Sequence, residues 1–127
     1  MTGPIGRGTK VYLSGPMTGK PDLNFPAFHA DAAWLRRRGF EVISPAEINP
    51  DASLAWEACM RADIKALCDC DAIALMDEWE GSRGAHLELH IAHRLGLKIL
   101  HMDQLRADHE PDPLGEALNS GDGSYRP

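Results

Sequence analysis

Cysteine is scarce in this chain: Cys59, Cys68 and Cys70 are the only three among 127 residues, an odd number with no CxxC pair. That excludes a disulfide framework and a zinc ribbon, and the three read as reduced thiols packed as small hydrophobes. Long apolar runs are missing too. The longest span four to five residues, as in Ala72 to Met76, against the roughly 20 that a membrane helix needs, so no membrane partner is expected. Met1 to Gly8 is glycine-rich and holds no hydrophobic stretch of the signal-peptide kind, so the expected location is the cytoplasm. An excess of positive charge is also absent. Thirteen basic against nineteen acidic residues give a net charge of -6, which argues against a nucleic acid polymer as partner. Most of that imbalance sits in residues 102–127, with six acids and two bases, which leaves residues 1–101 at only -2.

Several signatures of common chemistries are lacking as well. There is no Walker loop, no GxGxxG and no HExxH, which sets aside kinase, dehydrogenase and metalloprotease readings. His86, His90 and His93 have helical i, i+4, i+7 spacing, but the carboxylate beside them, Glu88, falls on the opposite face. No metal and no cofactor is therefore expected. What remains is ordinary globular material, 43% hydrophobic and 25% charged. A chain of this mass hides roughly two-thirds of its surface on folding, enough for one domain with a real core.

Punctuation divides the chain cleanly. Lys10 to Ser14 is a β-branched apolar run that ends at Gly15-Pro16, a first strand, followed by a loop to Leu23. Asn24 is placed to cap a helix reaching about Arg38, with Pro26 in its first turn and Gly39 as its stop. Phe40 to Ser44 reads as a strand and a long loop then runs to about Ser53. A helix over Ser53 to Asp69, a strand Ala72 to Met76, a polar loop Asp77 to Gly84, a helix Gly84 to Leu95 and a strand Leu97 to His101 complete the series. The order βαβαβαβ predicts a small doubly wound parallel α/β sheet, flavodoxin or Rossmann-like, of four to five strands with flanking helices. The domain is expected over residues 10–107, after a flexible N-terminus at 1–9. Residues 108–127 are read as an acidic, mostly mobile tail with one brief helix at Leu114 to Leu118. Arg36, Arg37 and Arg38 read as a solvated helix end whose charge complements the helix dipole.

Ligands of such sheets bind beyond the carboxyl ends of the strands, which points to the loops Ser14 to Gly19 and Asp77 to Gly84. Gly15, Pro16 and Met17 in the first loop, with Asn24 after it, are therefore assigned to substrate binding. Two acids strengthen the case. With about 100° per residue, Glu88 falls at the centre of an apolar stripe formed by Ala85, Ile91, Ala92 and Leu95. Asp63 is likewise central to a stripe of Trp56, Cys59, Met60 and Leu67. An unpaired buried carboxylate costs several kcal/mol, so each has either a structural partner or a function. A helix beginning at Ser53 would put Asp63 about 15 Å from its end, which leaves a structural role open beside a catalytic one for that acid. Ser82 and Gly84 precede Glu88 and form either a helix cap or an anion cradle. Trp79, in the same loop, either stacks on a ligand or covers the sheet edge.

The chain resembles the nucleoside 2-deoxyribosyltransferase superfamily, in particular its small phage and bacterial members, from about Lys10 to His101. The likeness rests on four blocks in order: "VYLSGPMTGKPDLNFPAF", "SPAEINP", "MRADIKALCDCDAIALM" and "GSRGAHLELHIAHRLG". It implies cleavage of the N-glycosidic bond of a nucleoside or 5-monophosphate, with Glu88 as nucleophile, Asp63 as acid or sugar-orienting group, and Tyr12 as the matching tyrosine of the first strand. By the same likeness Ser82 would hold a phosphate and Gly15 would line the sugar pocket. The 2-deoxynucleoside 5-monophosphate N-hydrolases of that superfamily carry a basic residue where this chain has Thr18. A transferase exchanging bases and a non-catalytic nucleotide-sensing module are the alternatives. The superfamily commonly completes its site from a neighbouring subunit, so a homodimer or higher homo-oligomer is implied.

Overall fold

The computed structural model describes residues 6–50 and 53–108. The expected brief helix at Leu114 to Leu118, the tail around it and the first five residues lie outside the described residues. Among the described residues, four strands and five helices follow one another as β1 (Lys10–Ser14), α1 (Phe25–Arg37), β2 (Glu41–Ile43), α2 (Pro45–Ile48), α3 (Trp56–Leu67), β3 (Ala72–Leu75), α4 (Arg83–Arg94), β4 (Lys98–His101) and α5 (Met102–Asp108). Short 3-10 turns occupy Pro21–Asn24 and Trp79–Gly81.

The sheet is wholly parallel with the order β2-β1-β3-β4. The chain leaves β1 to one side, builds β2, then crosses back to β3 on the other side. Strand order thus reverses between β1 and β3, and a crevice opens at their carboxyl ends. Alternation along β1 assigns its side chains to two layers. Val11 and Leu13 join Phe28, Ala32 and Leu35 of α1 and Met102 of α5. Tyr12 joins Ile73 and Leu75 of β3, Leu67 of α3 and Ala92 of α4. Helices therefore cover both faces, as the alternating pattern predicted. Leu35 and Leu67 are fully buried, and each such side chain contributes about 2 kcal/mol.

Four local features depart from expectation. Residues 45–48 form a helical turn rather than loop, because Ser44 Oγ accepts the Ala46 amide at 3.3 Å and Pro45 supplies a fixed first φ; four residues are too few to show a helical period. Helix α3 begins at Trp56 instead of Ser53. Asn24 does not cap α1 with its side chain; it has φ 62, follows Asp22 and Leu23 at φ 52 and 53, and its Nδ2 donates to the Pro16 carbonyl at 2.9 Å. Arg36 is not merely solvated, since it donates to both Glu47 oxygens at 2.9 and 2.8 Å and ties α1 to α2. No helix among the described residues is long and apolar enough to cross a membrane.

Candidate active site

The site is built on the first turns of α4. Ser82 adopts extended backbone and its Oγ accepts the Ala85 amide at 3.1 Å, the N-cap reading of that residue. The apolar stripe of α4 then faces the sheet, and Glu88 goes down with it, only 4% exposed. On β1 the two-residue period brings Tyr12 and Ser14 up beneath it. Tyr12 Oη donates to Glu88 Oε2 at 2.8 Å, and Ser14 Oγ donates to Glu88 Oε1 at 2.6 Å. Each carboxylate oxygen thus holds one donor and keeps a lone pair for another partner.

Burial pushes the Glu88 carboxyl up to about 7, the two hydroxyl donors work against that rise, and the nearby charge of Asp63 adds to it. Burial also raises the Tyr12 phenol well above its ordinary value, with the negative charges of Glu88 and Asp63 acting in the same direction. Tyr12 therefore stays a donor. Asp63 is 5% exposed, pushed to about 7 by burial, and opposed only by the Asn49 Nδ2 donor, 2.9 Å from its Oδ1.

Both acids line one cavity of about 530 Å³, within the range of small-molecule sites. Its walls come from the loop after β1, the start of α1, the α2 region, α3 and the start of α4. Gly15, Pro16, Met17, Ser82 and Gly84 line it with Glu88 and Asp63. The later start of α3 corrects the expectation that Asp63 lies too deep: its helix runs along the cavity wall. A Cβ on Gly15 would stand 2.8 Å from Met76 Cβ, so the close approach of the strand ends needs glycine there.

Other assignments are placed elsewhere. Tyr12 lies behind Glu88 and not on the cavity wall. Asn24 is outside the wall and fixes the Pro16 loop. Trp79 packs against the sheet with Leu75 and Ile99 and has His86 and His101 at ring-centroid distances of 5.1 and 6.3 Å, so it covers the sheet edge. The aromatics on the wall are Phe25, Phe28 and Trp56, and the Arg83 guanidinium sits over the Trp56 ring at 3.9 Å. Trp56, Cys59 and Met60 were already in the Asp63 stripe, which was the available signal. Ser14 was legible from its two-residue spacing to Tyr12. Asn49 lies in the block "SPAEINP", but its contact with Asp63 depends on the α2 turn and left no sign in the sequence.

The thiols differ from expectation. Only Cys70 is buried, and burial raises its thiol to about 11, whereas Cys68 is exposed and Cys59 reaches the cavity. Among the described residues no group of three or more His, Cys, Asp or Glu is arranged to hold a metal.

Residues 9–101 match a family model described as a domain of unknown function, DUF4406. A search of curated proteins finds no significant match. Solved structures do match. A 2-deoxyribosyltransferase of Bacillus psychrosaccharolyticus is 21% identical with a TM-score of 0.58, over 73% of this chain and 71% of that one. A 2-desoxiribosyltransferase from Leishmania mexicana is 22% identical with a TM-score of 0.59, over 73% and 63%. The CMP N-glycosidase BcmB of Clostridium botulinum is 22% identical with a TM-score of 0.53, over 73% and 70%. The chain belongs to the DUF4406 family, and its four-stranded parallel sheet has the fold of the nucleoside 2-deoxyribosyltransferase-like proteins that its sequence resembles.

Proposed function

We propose that this domain is a cytoplasmic, metal-independent N-glycosidase acting on nucleosides or nucleoside 5-monophosphates, with Glu88 as nucleophile and Asp63 as acid. The observation that carries the reading is the Glu88 carboxyl, sealed from bulk water yet open to a cavity that a second buried acid shares. Burial disfavours the charged form of both acids, so each keeps a proton to higher pH than a free carboxyl does. Glu88 has two hydroxyl donors and Asp63 one amide donor, so the negative charge favours Glu88 and the proton Asp63.

In the reaction, the C–N bond breaks with its electron pair going to the base, which takes the proton of Asp63. A Glu88 oxygen bonds to the anomeric carbon; water then attacks that carbon, its proton passes to the Asp63 carboxylate, and the C–O bond to Glu88 breaks, returning free sugar, ionised Glu88 and protonated Asp63. Fold likeness to 2-deoxyribosyltransferases and to a CMP N-glycosidase supports glycosyl chemistry at this position. The apolar wall of Met17, Phe25, Trp56 and Met60 suits a planar base.

The test is a screen of deoxynucleosides and their monophosphates for released base, with Glu88→Gln alongside. Release that falls at least about a thousandfold in the folded variant is expected. No release from any substrate, or equal release by both proteins, overturns the reading. Adding a different free base distinguishes hydrolysis, which gives only sugar and base, from transfer, which gives a new nucleoside. A homo-oligomer that covers the mouth beside Leu54, 44% exposed, belongs to the same proposal. A monomer by sedimentation that still cleaves substrate refutes that part.

A further inference from the structure

Asn49 sits just past the short helix α2, on the cavity wall, within the block "SPAEINP" but with no role assigned to it from the sequence. Its Nδ2 donates to Asp63 Oδ1 at 2.9 Å. A protonated carboxyl has one O–H and one carbonyl oxygen, and an amide N–H is a donor only. The carbonyl oxygen is the stronger acceptor of the two, so the bond from Asn49 favours Oδ1 as the carbonyl and Oδ2 as the oxygen that carries the proton. We infer that Asn49 is a positioning residue that fixes the acidic proton of Asp63 on the oxygen not bound by the amide, leaving that O–H for the leaving base. The inference rests on the N-glycosidase reading of the site.

The surroundings of Asp63 are compatible with this division. Glu88 from α4 and Tyr12 from β1 are the titratable groups that sense its charge. Arg83 of α4 lines the same cavity but sits over the Trp56 ring, and Cys59 of α3 lines the wall one turn before Asp63. Tyr12 and Ser14 donate to Glu88. Among the described side chains it is Asn49 that selects between the two oxygens of Asp63.

Removing the donor has two consequences of different kinds. The Asn49 bond stabilises ionised Asp63, so losing it raises the pH at which the acid gives up its proton. Losing it also frees the proton to occupy either oxygen and the carboxyl to rotate. Asn49→Leu, close in size and without a donor, is therefore expected to lower kcat at least about tenfold at low pH while moving the basic limb of the profile to higher pH. A residue that merely braced α2 would reduce the folded fraction and leave the limb in place.

The carboxyl of Asp63 is also followed directly by 13C NMR titration of substrate-free protein, where the same upward shift is expected. Asn49→Asp, which removes the donor and adds a like charge, is expected to shift Asp63 upward as well, and it serves if the leucine variant does not fold. An unchanged limb and an unchanged Asp63 titration in an otherwise active protein overturn the inference. A wild-type protein that releases no base overturns the N-glycosidase reading instead, and the NMR titration still reports whether Asn49 controls Asp63.

Discussion

Tyr12 and Glu88, 76 positions apart in the chain, share a buried hydrogen bond of 2.8 Å that joins the central strand to the first turns of α4. The phenol is held un-ionised by burial and by the adjacent carboxylates, so it donates throughout the neutral range. A donor to a carboxylate favours its charged form.

Tyr12→Phe removes that donor and raises the pH at which Glu88 ionises. If ionised Glu88 is the attacking group, the acidic limb of kcat/KM moves up by about one unit. Activity at pH 6 falls about tenfold, with a smaller loss at pH 9. A pH–rate profile of the variant measures this directly, and coincident limbs for both proteins contradict it.

Stability should follow the same charges in a defined direction. Glu88 and Asp63 both titrate near 7 in the folded protein, above their ordinary values of 4.5 and 3.8. Between about pH 4 and 7 the native state then holds more protons than the unfolded one, so stability falls as pH rises through that window. Glu88→Gln removes one of the two groups. It should be more stable than the wild type at pH 8 by about 1–3 kcal/mol, with the gain shrinking toward pH 4. Urea unfolding at both values gives the comparison, and a gain that is largest at low pH refutes it.

Gly15→Ala places a methyl 2.8 Å from Met76 Cβ at the point where β1 and β3 converge. The expected cost is about 1–3 kcal/mol, or several degrees in Tm for a domain of this size. An unchanged Tm by calorimetry would show that the strand ends have room to part.

The two tryptophans near the crevice should separate cleanly. Trp56→Ala opens the cavity wall and should raise KM for a nucleoside about tenfold or more, the scale of a lost base–aromatic stack. Trp79→Ala should instead lower Tm with little change in KM, because that ring packs on the sheet. Equal effects on KM would put both rings against the ligand.

The architecture was legible because alternating strand and helix patterns are long-range regularities, and the four strands lie within a residue of the runs that predicted them. Glu88 and Asp63 were legible for a related reason: a charged residue in the middle of an apolar helical stripe is an exception that sequence alone reveals. What sequence did not show was contact between elements. Asn49 reaches Asp63 through a four-residue helix too short to leave a period. Trp79 meets His86 and His101 while Trp56 stands on the cavity wall, a tertiary difference. Asn24 was assigned by residue type as a cap, yet a left-handed backbone through Asp22, Leu23 and Asn24 turns its amide toward Pro16.

The placement of Tyr12 and Ser14 on one face of β1 ties chemistry to strand pairing. A one-residue slip of β1 against β3 exchanges them for Val11 and Leu13, because side chains alternate. Glu88 would then meet hydrocarbon where two hydroxyls now stand, and a misthreaded sheet would be penalised at the very carboxyl proposed as nucleophile. The buried carboxyl thereby acts as a proofreader of its own scaffold, so a chain able to hold Glu88 in this position has already aligned its central strands.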